Sequence, residues 1–149
     1  MVIILNHKFS YCKEKLEQSG FRVTPQRISI FYYLLESKEH PSAEMVYDQV
    51  KEEFPNISFD TVNRTLLCLV NKELIKLLEN GYGPRRFDAD LNQHYHFRCR
   101  NCKKIIDFNC PEYNQVKIPE DIARKFKVIR QEIILEGICP DCLKKLEQK

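Results

Sequence analysis

Apolar side chains fall at helical spacing through the first seventy residues and gather into short β-rich runs from residue 74 onward. His7–Ser19 is polar and helix-compatible, and Gly20 is a stop signal. In FRVTPQR, Thr24 stands where an N-cap belongs and Pro25 takes the first helical position. Ile28, Phe31, Tyr32 and Leu35 then give an i, i+3, i+4, i+7 stripe. SKEHP ends this helix. Ser42 is placed to cap the next one, which runs to about Phe54 and is expected to bury Met45, Val46 and Val50. Pro55 and Asn56 break it. Ser58 caps a fourth helix with Asp60 in its first turn, where the macrodipole favours an acid. Val62, Leu66, Leu69 and Val70 form its expected inner stripe.

Two short helices joined by FPNI, the second well capped, make a helix-turn-helix candidate, although helical hairpins are common. The next fifteen residues strengthen it. LIKLL (Leu74–Leu78) is strand-like, ENGYGP carries Asn80-Gly81 and Gly83 as turn residues, and RRFD (Arg85–Asp88) returns as a second strand. A helix-turn-helix with a β-hairpin is a winged helix. Arg85 and Arg86 in the wing can reach phosphates or can simply be solvated charge. Beyond it, HYHFRC (94–99) and KIIDF (104–108) read as strands, Pro119–Phe126 as a short helix, Val128–Leu135 as β-rich, GICPDC as a knuckle and Leu143–Lys149 as a terminal helix. The expected class is α+β: a winged helix-turn-helix domain over 1–84, a hinge over 85–93 and a smaller α/β domain over 94–149.

Composition adds little to this picture. The chain is 43% apolar and 30% charged, as folded proteins are. The opening MVIIL has five apolar residues before polar Asn6, too short for a signal-peptide core, so a cytoplasmic location without membrane attachment is expected. The net charge of +3 is too small to argue for nucleic acid by itself, with 10 Lys/Arg against 11 Asp/Glu in 1–83 and 14 against 10 in 84–149. DNA binding would therefore depend on where charges sit and on dimerisation.

The seven cysteines change the picture more. Cys99, Cys102, Cys139 and Cys142 form C-x-x-C…C-x-x-C, which in a reducing compartment points to metal rather than disulfides. Two such knuckles close a four-sulfur zinc site with no open position, so its role is folding. Cys68 is expected as a small core residue, and Cys12 and Cys110 carry no assigned role. His94 and His96 lie two apart on an expected strand, so both rings face one side. With Asp88 upstream and Asp107 on a neighbouring strand they make an N/O set suited to Fe(II), Mn(II), Co(II) or Zn(II). Each residue taken singly can equally be a surface or capping group. His40, before Pro41, is the other well-placed histidine.

RVTPQR at 22–27, HPSAEMVY at 40–47, PNISFDTVNRTL at 55–66, RFD at 86–88, HYHFRCRNCKKIIDF at 94–108 and GICPDC at 137–142 together resemble the ferric uptake regulator (Fur) superfamily of metal-dependent repressors, over nearly the whole chain. Within it the sequence is most similar to the peroxide-sensing (PerR) branch. That resemblance implies a transcriptional repressor, not an enzyme, whose second domain joins two chains into a homodimer on a palindromic, AT-rich double-stranded operator. It implies one structural Zn(II) per subunit at the four cysteines. It also implies one regulatory Fe(II) or Mn(II) at His40, Asp88, His94, His96 and Asp107, with His40 or His94 as the side chain that peroxide oxidises. Iron-sensing members usually carry glutamate in the position of Asp107, and a further metal site common among them is missing where this chain has Tyr95 and Gln131. The DNA-facing residues implied are Arg22, Gln26, Ser58, Thr61, Asn63 and Arg64. Asn63 replaces the family's usual tyrosine and can pair bidentately with adenine. Lys103 replaces the glycine that normally follows the first knuckle. An iron- or zinc-sensing regulator, a non-haem iron enzyme and a purely structural zinc ribbon are the competing readings; the enzyme would need a substrate pocket, of which the sequence shows no sign.

Overall fold

The computed structural model describes residues 2–79 and 83–148, and the chain divides into two units, Met1–Leu91 and Asn92–Lys149. The first contains α1 (Val2–Gln18), α2 (Pro25–Glu36), α3 (Ala43–Glu53), α4 (Phe59–Asn71) and the strands β1 (Lys76–Leu78) and β2 (Arg86–Asp88). Helix α1 starts at Val2, five residues before the expected His7. It ends at Gly20, whose φ of +73° lets the N–H of Gly20 reach the Glu17 carbonyl and that of Phe21 reach Leu16. This is a Schellman closure, which needs a residue at ease in the left-handed region.

The three remaining helix starts follow their caps. The Thr24 hydroxyl accepts from the Arg27 N–H at 3.3 Å, Ser42 from Met45 at 3.4 Å and Ser58 from Thr61 at 3.1 Å. Thr24→Ala is expected to cost about 1 kcal/mol and to lower the midpoint of thermal unfolding by about 4–8 °C; a scanning calorimetry trace of the two proteins checks it.

The core of this unit is Ile28, Ile30, Phe31, Leu34, Val46, Val50, Val62, Leu66, Leu69 and Phe87, with Cys12 and Leu16 from α1. Three stripes are rotated from expectation. In α2, Ile30 and Leu34 point inward while Tyr32 and Leu35 are half-buried. In α3, Met45 is half-buried and Ala43 takes the inner position. In α4, Thr65 replaces Val70 on the inner face. Cys68, expected in the core, is exposed, and the buried cysteine is Cys12. Burial pushes the Cys12 thiol up to about 12, which makes it an inert apolar side chain.

Strands β1 and β2 pair antiparallel with Leu77 opposite Phe87. The turn expected at Asn80-Gly81 lies outside the described residues.

The second unit holds β3 (Tyr95–Cys99), β4 (Ile105–Phe108), a short 3-10 turn (Pro111–Gln115), α5 (Glu120–Lys125), β5 (Ile134–Gly137) and α6 (Pro140–Glu147). Its sheet runs β4-β3-β5, with β3 antiparallel to β4 and parallel to β5. Strand β4 carries the chain back along β3, and residues 109–133 then lead past β3 to β5 on its other side. The strand expected over Val128–Leu135 begins only at Ile134, and the terminal helix begins at Pro140, inside the second knuckle. Lys103 sits at φ +63°, the left-handed conformation that glycine adopts freely. Lys103→Gly is therefore expected to stabilise this unit by about 0.5–1 kcal/mol, read as a rise in the denaturation midpoint.

Several large apolar side chains of this unit lie open: Ile129 is 92% exposed, Phe126 62% and Leu146 55%. No helix among the described residues is long and apolar enough to cross a membrane.

Candidate metal centres and the exposed face of the fourth helix

Parallel pairing of β3 with β5 sets Cys99 opposite Gly137. The turn after β3 and the start of α6 therefore meet at one end of the sheet, each carrying a C-x-x-C. The sulfurs of Cys99, Cys102, Cys139 and Cys142 all lie within 4.8 Å of one another. The Cys102 and Cys139 sulfurs are 3.7 Å apart. Four thiolates about 2.3 Å from a tetrahedral ion would be separated by about 3.8 Å, which the Cys102–Cys139 spacing matches, so the cluster has the dimensions of a zinc site.

The electrostatics also fit a cation. At Cys99 burial opposes ionisation, but N–H groups of Cys139, Cys102 and Asn101 overcome it and hold the thiol down to about 6. The Cys139 N–H reaches the Cys99 sulfur at 3.3 Å. At Cys139 the Cys142 N–H favours the thiolate, yet burial and the hydrogen bonds among the sulfurs raise it to about 11. Four sulfurs packed this closely cannot all ionise without a counter-charge, and a divalent ion supplies one. Gly137 belongs to this construction: a Cβ there would lie 3.2 Å from the Phe97 ring, so glycine permits the close approach of β5 to that ring.

At the other end of β3, the strand period puts His94 and His96 on one side, and the register sets His96 opposite Asp107 of β4. The His94 and His96 Nε2 atoms are 3.0 Å apart. Asp107 Oδ1 lies 3.4 Å from His96 Nε2 and 3.7 Å from His94 Nε2. The Nδ1 of His94 is 2.9 Å from the Asn92 carbonyl, which accepts a hydrogen there and leaves the Nε2 lone pair for the cluster. Two imidazole Nε2 atoms and a carboxylate oxygen converge on one point. That donor set suits a borderline divalent ion such as Fe(II) or Mn(II).

Within the first unit, His40 Nε2 lies 3.8 Å from Asp88 Oδ1, with both side chains buried. Thus His94, His96 and Asp107 are brought together in one unit, and His40 and Asp88 in the other. Arg86, expected on the wing surface, is half-buried and turned inward: its Nη1 donates to the His40 carbonyl at 3.0 Å and lies 3.3 Å from the Met45 sulfur. Arg85 is exposed.

The exposed face of α4 presents Arg64 and, half-buried, Thr61 and Asn63. The hydroxyls of Ser58 and Thr61 share a 2.8 Å hydrogen bond, so both serve the cap. Arg64 Nε lies 2.9 Å from Asp60 Oδ2 one turn earlier. Arg22 is exposed, Gln26 half-buried, and the Arg22 carbonyl accepts from Arg27 Nη1 at 2.7 Å. Phe59, not singled out from the sequence, is 41% exposed at the start of α4, edge-on to Tyr47. Its apolar character points inward in any pattern count, and only its position in the first turn signals otherwise.

The model of the ferric uptake regulator family matches residues 18–136. The peroxide operon regulator of Bacillus subtilis is 37% identical over 139 residues, covering 93% of this chain and 96% of that protein. A peroxide-responsive repressor, PerR, of Staphylococcus aureus is 33% identical, covering 93% of each chain. Among solved structures, Helicobacter pylori Fur, described as having three functional metal-binding sites, aligns with a TM-score of 0.73 at 25% identity over 93% of both chains. PerR of Streptococcus pyogenes aligns with a TM-score of 0.51 at 33% identity over 90% of this chain and 92% of that one.

Proposed function

The chain belongs to the ferric uptake regulator family, and from that premise we propose that it is a dimeric, metal-dependent repressor that binds DNA and senses hydrogen peroxide. The observation that carries the peroxide reading is the His94–His96–Asp107 cluster, an N/O set with aspartate on β4. His40 and Asp88 complete the proposed site from the DNA-binding half. Ligands drawn from both units would tie their orientation to the ion, which therefore favours the DNA-binding conformer by its differential affinity. The four-cysteine site holds Zn(II) and organises the second unit.

Dimerisation through that unit is supported by its open apolar side chains, Phe126, Ile129 and Leu146 among them. A two-fold dimer presents two copies of α4 to two half-sites, so the operator is a palindrome, here read as AT-rich and bound in the cytoplasm. Asn63 suits adenine N6/N7 and Arg64 guanine or phosphate. Ser58 and Thr61 would contact the DNA backbone, and Arg22 and Gln26 complete the DNA-facing set.

Fe(II) supplies reactivity toward peroxide, whereas Mn(II) supplies the same charge and resists it. His40 and His94 are the ligands whose imidazoles take up the oxygen, and an oxidised imidazole no longer donates its lone pair. The expected result is that both metal forms bind the operator, and that peroxide releases only the Fe(II) form. One added oxygen is then found by mass spectrometry on a peptide carrying His40 or His94. An Fe(II) protein that keeps full operator affinity after peroxide would point instead to a regulator of metal level.

A further inference from the structure

His40 occupies an expensive conformation. It is 3% exposed, sits at φ +49° and precedes Pro41, a setting that disfavours helical backbone of the residue before it. Strand β2 holds it there. Arg86 Nη1 donates to the His40 carbonyl at 3.0 Å, the Phe87 N–H donates to the Pro41 carbonyl at 3.0 Å, and Ser42 bridges to Arg86. Two residues along, on the same side of the strand, Asp88 Oδ1 faces His40 Nε2 at 3.8 Å. One strand thus grips His40 twice, by its backbone through residue 86 and by its ring through residue 88. The same guanidinium leans on the Met45 sulfur at 3.3 Å, which sets its direction from α3.

We propose that Arg86 is a positioning residue of the regulatory metal site: its hydrogen bond to the His40 carbonyl fixes the backbone from which the His40 imidazole is presented. This rests on His40 being a ligand of the proposed peroxide-sensing site. It gives the wing strand a second role, because the hairpin that carries Arg85 outward is the same one that aims His40. A ligand held in advance loses little freedom when an ion binds. A ligand freed to leave the left-handed region must be reordered at the expense of affinity.

The test uses the zinc-loaded full chain and Mn(II) as probe, titrated by electron paramagnetic resonance. Arg86→Met keeps the length and apolar stem but removes the donor; Arg86→Lys restores a cationic N–H donor group. His40→Ala reports on the ligand assignment itself. The expected result is a 10- to 100-fold weaker Mn(II) dissociation constant for Arg86→Met, with Arg86→Lys recovering most of it. A shifted Mn(II) spectrum in Arg86→Met at saturating metal is also expected, which a general loss of stability would not produce. Melting of the metal-free proteins shows that each variant is folded at the assay temperature, and should Arg86→Met fail there, Arg86→Leu, which also lacks a donor, takes its place. Wild-type Mn(II) affinity and spectrum in the donor-less variant, beside a crippled His40→Ala, overturns the proposal and leaves the ligand set standing. Normal binding by His40→Ala overturns both.

Discussion

Cys99→Ser is expected to yield a protein without stoichiometric zinc that runs as a monomer in size-exclusion chromatography and has lost the fold of its second unit. Cys99 lies at the end of β3, is 1% exposed and carries a thiol that neighbouring N–H groups hold below its ordinary value. A serine hydroxyl neither ionises at neutral pH nor matches a soft ion. Zinc sites of this type contribute an apparent ~10–16 kcal/mol, comparable to the whole stability of a small domain. Packing around the sulfurs is thin: the buried cluster there is Cys99, Cys139 and Cys142, with Phe97 and Ile138 packed against it. Losing the ion therefore removes the tie between the end of β3 and the start of α6 beside β5. Cys68→Ser is the matched control. Its thiol is exposed on α4, so zinc content, oligomeric state and melting should all be unchanged. Metal analysis by mass spectrometry, chromatography and circular dichroism on the two proteins decide the matter. A Cys99→Ser protein that remains a zinc-bound dimer would sink the assignment.

The second large effect is expected from His96→Ala. His96 is 6% exposed, its Nε2 lies within 3.4 Å of both His94 Nε2 and Asp107 Oδ1, and it is the member of the cluster set directly opposite Asp107 in the sheet. Its removal takes away one lone pair of the convergent set and opens a gap beside the other two. Mn(II)-dependent operator binding should weaken by about 100-fold, equivalent to about 2.7 kcal/mol of coupling between ion and DNA. The weak, salt-sensitive binding to unrelated duplex should remain, since it depends on phosphate contacts and not on the ion. Zinc content should also remain, because the four cysteines lie at the opposite end of β3. Fluorescence anisotropy with cognate and scrambled duplexes, with and without Mn(II), separates these terms. Unchanged Mn(II)-dependent affinity would remove His96 from the regulatory site.

Local signals in the sequence were the more informative ones. Thr24, Ser42 and Ser58 each cap the helix expected of them, because a cap is decided by three or four neighbouring residues. The helical faces were less legible. ISIFYYLL in α2 is apolar on nearly every side, so spacing alone could not tell Leu34 from Leu35, and contact with α3 and α4 made the choice. Cys68, expected in the core, is exposed, and Cys12, to which the sequence assigns no role, is buried: a small thiol reads alike on either face, and only tertiary packing buries one of them. The His94–His96 pair was visible as a two-residue period. Its partner Asp107 depended on strand register, and that of His40 on how β2 meets the residues before α3. Neither is written locally. Arg86 looked like surface charge because nothing in RRFD says which arginine the pleat turns inward. Lys103 is the reverse case: the departure from glycine was plain, and the structure shows its backbone cost.

The sulfur site also has a consequence for synthesis. Its first two thiols, Cys99 and Cys102, precede the last, Cys142, by forty residues or more. At translation rates of ~5–20 residues per second, a nascent chain carries the first pair for roughly 2–8 s before the second pair can join it. Helices α1–α4 and their hairpin draw on nearer neighbours and can be in place by then. During that interval the open pair is exposed to the very oxidant that the finished repressor is read as detecting. Newly made copies are then the most easily damaged ones, and a zinc-poor fraction should accumulate when expression coincides with oxidative stress.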